Sequence, residues 1–198
     1  LDDLIKELKK AKVLAFDTET DSLDFTQANL VGLSVATDED NAYYIPVGHD
    51  YEGAPKQLDR DEVLKKLKPI IEKTPLIGQH LKFDRNVLAN YDIHLNAIEN
   101  DTMLMSYVYD PTATRHNLDA MASHYLNVKT TTFEDVAGKG VKQLTFNQIP
   151  LEKASDYAAE DADITFRCYS HLKPALAKTP PNLAKIEIKE APKPKATR

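Results

Sequence analysis

Val13-Leu14-Ala15-Phe16-Asp17-Thr18-Glu19-Thr20 is an apolar run that ends in two acids, a single residue apart. Val13 to Phe16 has the composition of a buried strand. Because strand side chains alternate with a period of two, Asp17 and Glu19 leave it on the same face. Two carboxylates then point into one place. Like charges at the end of a buried strand repel one another and lose hydration, which favours a neutralising cation. A hard divalent ion with oxygen ligands, Mg²⁺ or Mn²⁺, suits them. The alternative is that Asp17 caps a following turn through backbone donors. D-x-E alone favours the capping reading, so further acids converging on the pair must decide for the ion.

The bulk properties narrow the setting. A chain of 198 residues with 42% hydrophobic content suits one domain with a sizeable core. A formal charge of -6 and a pI near 5.5 argue against a broad basic surface that grips nucleic acid, though not against a cleft that holds a strand end. The single cysteine, Cys168, excludes a disulfide framework and a zinc cluster and fits a reducing, cytoplasmic setting. No apolar run approaches the roughly 20 residues of a membrane span. The start, Leu1-Asp2-Asp3-Leu4, lacks signal-peptide character, and a first residue other than Met is expected of a chain cut from something longer.

Outward from the acid-tipped strand, Leu1, Leu4, Ile5 and Leu8 recur at helical spacing, which predicts a short helix over residues 2 to 11. Residues 29 to 36 and 42 to 47 read as two further strands of an antiparallel meander. Asp59, with Glu62 three residues on, marks the N-terminus of a helix whose stripe is Val63, Leu64, Leu67, Ile70 and Ile71. Leu76-Ile77-Gly78 is a short strand leading through Asp84 into a helix. Helices follow at 102 to 109 and 117 to 126, with Asp101 and Asn117 as their N-caps. Residues 128 to 147 form a polar loop carrying a helical turn at 133 to 136, and 151 to 176 is a long helix. Strands alternating with helices predict a mixed sheet with helices on its faces. Residues 178 to 198 read as a Pro- and Lys-rich tail or linker.

Three places bear acids in a suggestive way. Asp17 and Glu19 are the first, and Asp84, at a strand-to-helix junction, is the second. The third is Tyr157-Ala158-Ala159-Glu160-Asp161, where Tyr157 and Asp161 stand four apart on one helix face and the alanines leave that face open. Phe16-Asp17-Thr18-Glu19-Thr20-Asp21-Ser22-Leu23, Gly78-Gln79-His80-Leu81-Lys82-Phe83-Asp84 and Tyr157-Ala158-Ala159-Glu160-Asp161 resemble the three exonuclease motifs of the DEDD superfamily, in its tyrosine-bearing branch. More closely, residues 12 to 177 resemble the 3′→5′ proofreading exonuclease domain of bacterial family A DNA polymerases, the polymerase I type. Ala28 to Ser34, Thr132 to Gly140 and Gln143 to Gln148 share the likeness.

The resemblance implies a ribonuclease-H-like α/β fold, a mixed β-sheet flanked by α-helices, with the exonuclease domain over residues 1 to 177. It implies a metal-dependent 3′→5′ exonuclease that releases nucleoside monophosphates from single-stranded DNA 3′ ends. Two divalent cations are implied, Mg²⁺ or Mn²⁺ with Zn²⁺ as a further candidate, because such a pair generates a nucleophilic water and stabilises the leaving oxygen. By the same resemblance Asp17 bridges both ions, Glu19 and Asp161 complete the site of the water-activating ion, and Asp84 holds the other. Tyr157 orients the attacking water; a phenol with an ordinary pKa near 10 is a poor base at neutral pH. Leu23 and Phe133 match residues that wedge and stack against terminal bases. For Leu23, ordinary core packing competes evenly. Gln79 and Arg115 match phosphate contacts.

His80 departs from the pattern, which carries Asn there. An imidazole differs from an amide in donor geometry and in titration, so weaker or pH-dependent strand binding is expected. His49, His116 and His124 lack metal-ligand spacing and read as surface or satisfied core residues; Glu160 and Asp163 read as solvated charges, and Asp21 as a turn residue. Two rival readings remain: a stand-alone exoribonuclease of the ribonuclease D type, and a non-catalytic exonuclease-fold domain supporting a polymerase. The expected partners are a single-stranded DNA 3′ end and a polymerase domain in a parent chain. No membrane is expected, and the chain reads as a monomer.

Overall fold

A computed structural model describes residues 1–178. Its centre is a five-stranded sheet in the order β3-β2-β1-β4-β5: β1 Leu14–Thr20, β2 Leu30–Ala36, β3 Ala42–Pro46, β4 Leu76–Gly78 and β5 Ile98–Asp101. β1 pairs antiparallel with β2, and β2 with β3, which is the expected meander. β4 runs parallel to β1, and β5 parallel to β4, so the sheet is mixed. The long helix expected at 151 to 176 is α7, Leu151–Lys178. The expected tail lies, beyond Lys178, outside the described residues.

Each face of the sheet buries its own layer. Leu14 and Phe16 of β1 join Leu33 and Val35 of β2 against α1 (Asp2–Leu8), α2 (Arg60–Ile71) and α3 (Lys82–Ala89), through Leu8, Leu67, Ile71 and Leu88. Ala15, Ala36 and Ile77 face the other way, against Met105 of α4 (Thr102–Tyr109), Met121 of α5 (Leu118–Met121) and Ala162, Cys168 and Leu172 of α7. The β1–β2 register shifts between Glu19 and Thr20, so Leu30 stays in the first layer while Val31 enters a third, smaller cluster with Phe146, Ile149, Ala154 and Ala158. An extra residue at that point bends the strand end, as bulges beside functional sites do.

The expected caps are in place. Asp59 accepts from the Glu62 amide at 3.0 Å, and Asn117 from that of Ala120 at 2.9 Å. Asp101 accepts from Met103 N at 3.0 Å and, through its second oxygen, from Leu81 N at 2.9 Å, so one carboxylate fixes the starts of both α3 and α4.

Three local expectations need correction. β1 does not stop at Phe16; it runs to Thr20 and carries both acids inside the strand, because Glu19 and Thr20 keep pairing with β2. The helix expected over 117 to 126 is α5 followed by a π turn, Ala122–Leu126, from which Tyr125 reaches Ser106 at 2.8 Å. β5 was absent from the sequence reading, since four partly exposed, largely polar residues lack the strand pattern. The loop 128 to 147 holds α6, Phe133–Ala137, and two 3₁₀ turns at Gly140–Lys142 and Phe146–Gln148.

Candidate active site

The site grows from the alternation of β1. Asp17 and Glu19 point to the face covered by α7, and their cross-strand neighbours on β2 are Ser34 and Gly32. These small residues leave room above the sheet. α7 fills part of it by laying the fully buried Ala154, Ala158 and Ala162 toward the sheet, which lets its backbone come close and carries Tyr157 and Asp161 into the same space. One carboxylate oxygen from each of Asp17, Glu19 and Asp161 then lies within 4.8 Å of the others.

Asp84 arrives from the opposite direction. It sits in the first turn of α3, buried, and its Oδ1 accepts from the Thr18 amide at 2.8 Å and the Thr18 hydroxyl at 2.6 Å. Thr18 is the residue between the two acids. Its side chain points to the other face of β1, so the strand holds Asp17 and Glu19 with one side and Asp84 with the other. Asp84 lies outside the tight triad of oxygens, yet its charge is close enough to raise the pKa of both Asp17 and Glu19.

Electrostatics sets this place apart from the rest of the molecule. Burial pushes Asp17 and Glu19 well above the usual carboxylate range, and the neighbouring carboxylates push them further. Asp161 is pushed up to about 7, chiefly by burial, with the Tyr157 hydroxyl beside it pulling the other way. Asp84 rises to about 6 by burial, opposed by its two bonds from Thr18. Among the described residues, none of the ion pairs involves any of these four acids. Glu19 Oε1 is buried without a hydrogen-bond partner. Hard oxygen ligands that converge and repel, with one buried oxygen left unpartnered at Glu19, are the set a divalent cation fits. Tyr157 is raised by burial and by the acids' charges, so its phenol keeps its proton.

Beside the acids lies a cavity of about 350 Å³ lined by Thr20, Ser22, Leu23, Phe133, Leu144 and Phe146. Leu23 is 93% exposed, which overturns core packing as its role. Phe133 is half-buried and meets the Tyr157 ring edge-on at 6.1 Å. The remaining candidates stand further out. Gln79 donates to the His116 carbonyl at 2.8 Å and accepts from Thr102 at 2.6 Å, so its amide braces the loop before α5. Arg115 is exposed next to His116. His80 is exposed, with a left-handed φ of 60°. That conformation is several-fold enriched in Asn and His among residues other than glycine, which accounts for either residue here.

Two minor readings change. Glu160 is no solvated charge: it accepts from the Thr131 amide at 2.8 Å and ties the 128 to 147 loop to α7, because a half-buried loop amide needs an acceptor. Asp163 pairs with Arg167 at 3.0 Å. Asp21 closes the β1–β2 connection by accepting from Asn29 N at 2.7 Å and Nδ2 at 2.8 Å, as a turn residue should. Thr18 escaped the sequence reading, although its place inside D-x-E was a usable signal. Phe146, inside the Gln143 to Gln148 likeness, packs against Tyr157, and Tyr44, bonded to the buried His49, has no pattern in the sequence that marks it.

Comparison with known proteins agrees with this geometry. Residues 1–177 match the family described as 3′-5′ exonuclease. DNA polymerase I of Pseudomonas aeruginosa is 52% identical over 186 residues, covering 92% of this chain and 20% of that protein. DNA polymerase I of Borreliella burgdorferi is 40% identical over 174 residues, covering 86% of this chain and 18% of that protein. The chain thus spans about a fifth of the length of these relatives. Among solved structures, the catalytic core of RRP6 from Trypanosoma brucei superposes with a TM-score of 0.66 at 15% identity, covering 89% of this chain and 44% of that one, a likeness of fold. No helix of the described residues is long and apolar enough to cross a membrane. With its α/β sheet and its convergent acids in place, the chain belongs to the 3′-5′ exonuclease family.

Proposed function

We propose that this chain removes nucleotides from single-stranded DNA 3′ ends by divalent-metal-dependent hydrolysis, as a proofreading-type domain of a longer polymerase chain. The observation that carries the reading is the convergence of Asp17, Glu19 and Asp161 oxygens within 4.8 Å, around a buried, partnerless Glu19 Oε1. When bound, Mg²⁺ or Mn²⁺ supplies a water nucleophilic near neutral pH and stabilises the charge that develops on phosphate oxygens. Asp17, Glu19 and Asp161, whose oxygens converge, would hold the ions, with Asp84, pinned by Thr18, as the fourth carboxylate of the set. Tyr157, protonated and beside Asp161, would orient the attacking water by hydrogen bonding through its hydroxyl.

The cavity between Leu23 and Phe133 receives the terminal base. Apolar and aromatic contact tolerates any base, which is what an end-trimming enzyme requires. Gln79, His80 and Arg115 flank the approach of the phosphates. DNA is favoured over RNA because relatives at 52% and 40% identity are DNA polymerases I, and those relatives make a polymerase body the natural partner in the parent chain. A monomer in a cytoplasmic setting, with the residues beyond Lys178 as the linker, completes the proposal.

The test is hydrolysis of 5′-labelled single-stranded DNA with Mg²⁺, Mn²⁺ or EDTA, for the native chain and for Asp17→Ala/Glu19→Ala. A ladder shortened from the 3′ end, lost with EDTA and in the double variant, is expected. Faster cutting of the matching RNA would replace this reading with the exoribonuclease one. A folded chain that binds metal and cuts neither substrate would leave a supporting domain.

A further inference from the structure

We infer that Tyr44, locked by His49, is a positioning residue for the metal site, acting through Glu19 on one side and Tyr157 on the other. The inference rests on the metal-site reading proposed above. β3 is the strand beyond β2 from the acids, yet Tyr44 leans back across β2. Its hydroxyl occupies the space directly above Gly32, where a Cβ would lie 2.2 Å from it. Gly32 is the cross-strand partner of Glu19. The phenol therefore stands beside the Glu19 side chain, close enough that the carboxylate's charge helps raise the Tyr44 pKa. Glu19, whose Oε1 has no hydrogen bond to hold it, is confined by this wall toward Asp17 and Asp161.

Tyr44 is itself tightly held. Its hydroxyl is 2.7 Å from His49 Nε2, and His49 is only 5% exposed. Gln57 clamps the backbone of His49 from both sides, donating to its carbonyl and accepting from its amide at 2.7 Å each. The His49 ring packs against Tyr51 at 6.3 Å and Phe146 at 5.8 Å. Phe146 also meets Tyr44 at 6.3 Å and Tyr157 at 6.1 Å. One set of rings thus joins the wall behind Glu19 to the tyrosine beside Asp161. A buried histidine bonded to a phenol, over a glycine that makes room for it, is more than a packed core needs. Aliphatic side chains would fill the same volume without polar atoms to satisfy.

The experiment measures Mn²⁺ binding to the metal-free chain by isothermal titration calorimetry, without nucleic acid, alongside thermal melting. Tyr44→Phe keeps the ring and removes the bond to His49; Gly32→Ala displaces the ring itself. Both are expected to weaken Mn²⁺ binding about 10-fold, the lower end of what loss of a group supporting a metal ligand costs. His49→Gln, which keeps an acceptor for the phenol, is expected to retain more affinity than His49→Leu. Tyr51→Phe is the control. It removes the bond from Leu151 N to Tyr51 in the same ring cluster, away from the acids, and is expected to lower the melting temperature without changing Mn²⁺ affinity. Equal affinity in native, Tyr44→Phe and Gly32→Ala chains would overturn the inference, as would an equal loss in Tyr51→Phe. If the native chain bound no Mn²⁺ at all, the metal-site reading would fail first, and this inference with it.

Discussion

The two faces of β1 put the same strand to opposite uses. On one, Leu14 and Phe16 are fully buried among leucines and isoleucines, and Thr18 spends its amide and hydroxyl on Asp84. On the other, Ala15 gives way to Asp17 and Glu19, whose carboxylates face a third acid and, among the described residues, pair with no basic side chain. The first face stabilises the fold through area removed from water. The second subtracts from that stability, because acids held above their ordinary pKa favour states in which they are hydrated or protonated. A period of two lets one heptapeptide do both, with Thr18 as the link between them.

The sharpest way to break this comparison is to exchange removal on one face for removal on the other. Asp17→Asn is expected to lower hydrolysis of single-stranded DNA by about 10³-fold, the scale of losing a preorganised charge in a closed site, while raising the melting temperature of the metal-free chain. Phe16→Ala is expected to do the reverse. It should cost about 3–5 kcal/mol in urea unfolding, from lost transfer energy and the cavity left behind, with kcat kept in the fraction that remains folded. If Asp17→Asn destabilised the metal-free chain as Phe16→Ala does, the division of labour would be wrong.

A pH series sharpens it next. Asp161 is raised to about 7 and Asp84 to about 6 in the fold, against an ordinary 3.8. Between these limits the folded state binds more protons than the unfolded one, so stability falls as pH rises from about 4 toward 7 and then levels. Urea unfolding in EDTA at pH 5 and pH 8, compared between the native chain and Asp161→Asn, isolates that contribution. The native chain should lose more stability toward pH 8 than the variant does. Parallel curves would show that Asp161 titrates normally.

Smaller effects lie at the rim. Leu23→Ala, at a side chain 93% exposed, should change stability by less than about 0.5 kcal/mol and raise KM for single-stranded DNA about 10-fold, the lower end of what burying a leucine side chain against a base contributes. An unchanged KM would remove Leu23 from the base site. His80→Asn should be the mildest, since both residues accept the left-handed backbone found there. Its hydrolysis profile against pH tests whether the imidazole matters, and identical profiles would show that it does not.

Much of this molecule was legible because its decisive patterns are local. Asp17 and Glu19 share a face by strand alternation, Tyr157 and Asp161 by helical spacing, and the caps at Asp59, Asp101 and Asn117 by short-range bonding. β5 was missed since its polar, partly exposed residues carry no periodic signal. Glu160 looks like a solvated charge in the sequence because its partner, Thr131, reaches it only when a loop folds onto α7.

The sequence by itself determined the strand that carries two acids, the helix that carries a third beside a tyrosine, and, through three motifs in order, the family. Tertiary structure alone decided how close those acids come, since that distance depends on how α7 packs its buried alanines against the sheet. It alone decided that Asp84 hangs from Thr18 across 66 positions, and that Tyr44, bonded to His49, stands over the glycine that faces Glu19. Local propensity cannot encode such contacts, because the partners meet only after the sheet has closed and its two faces have been covered.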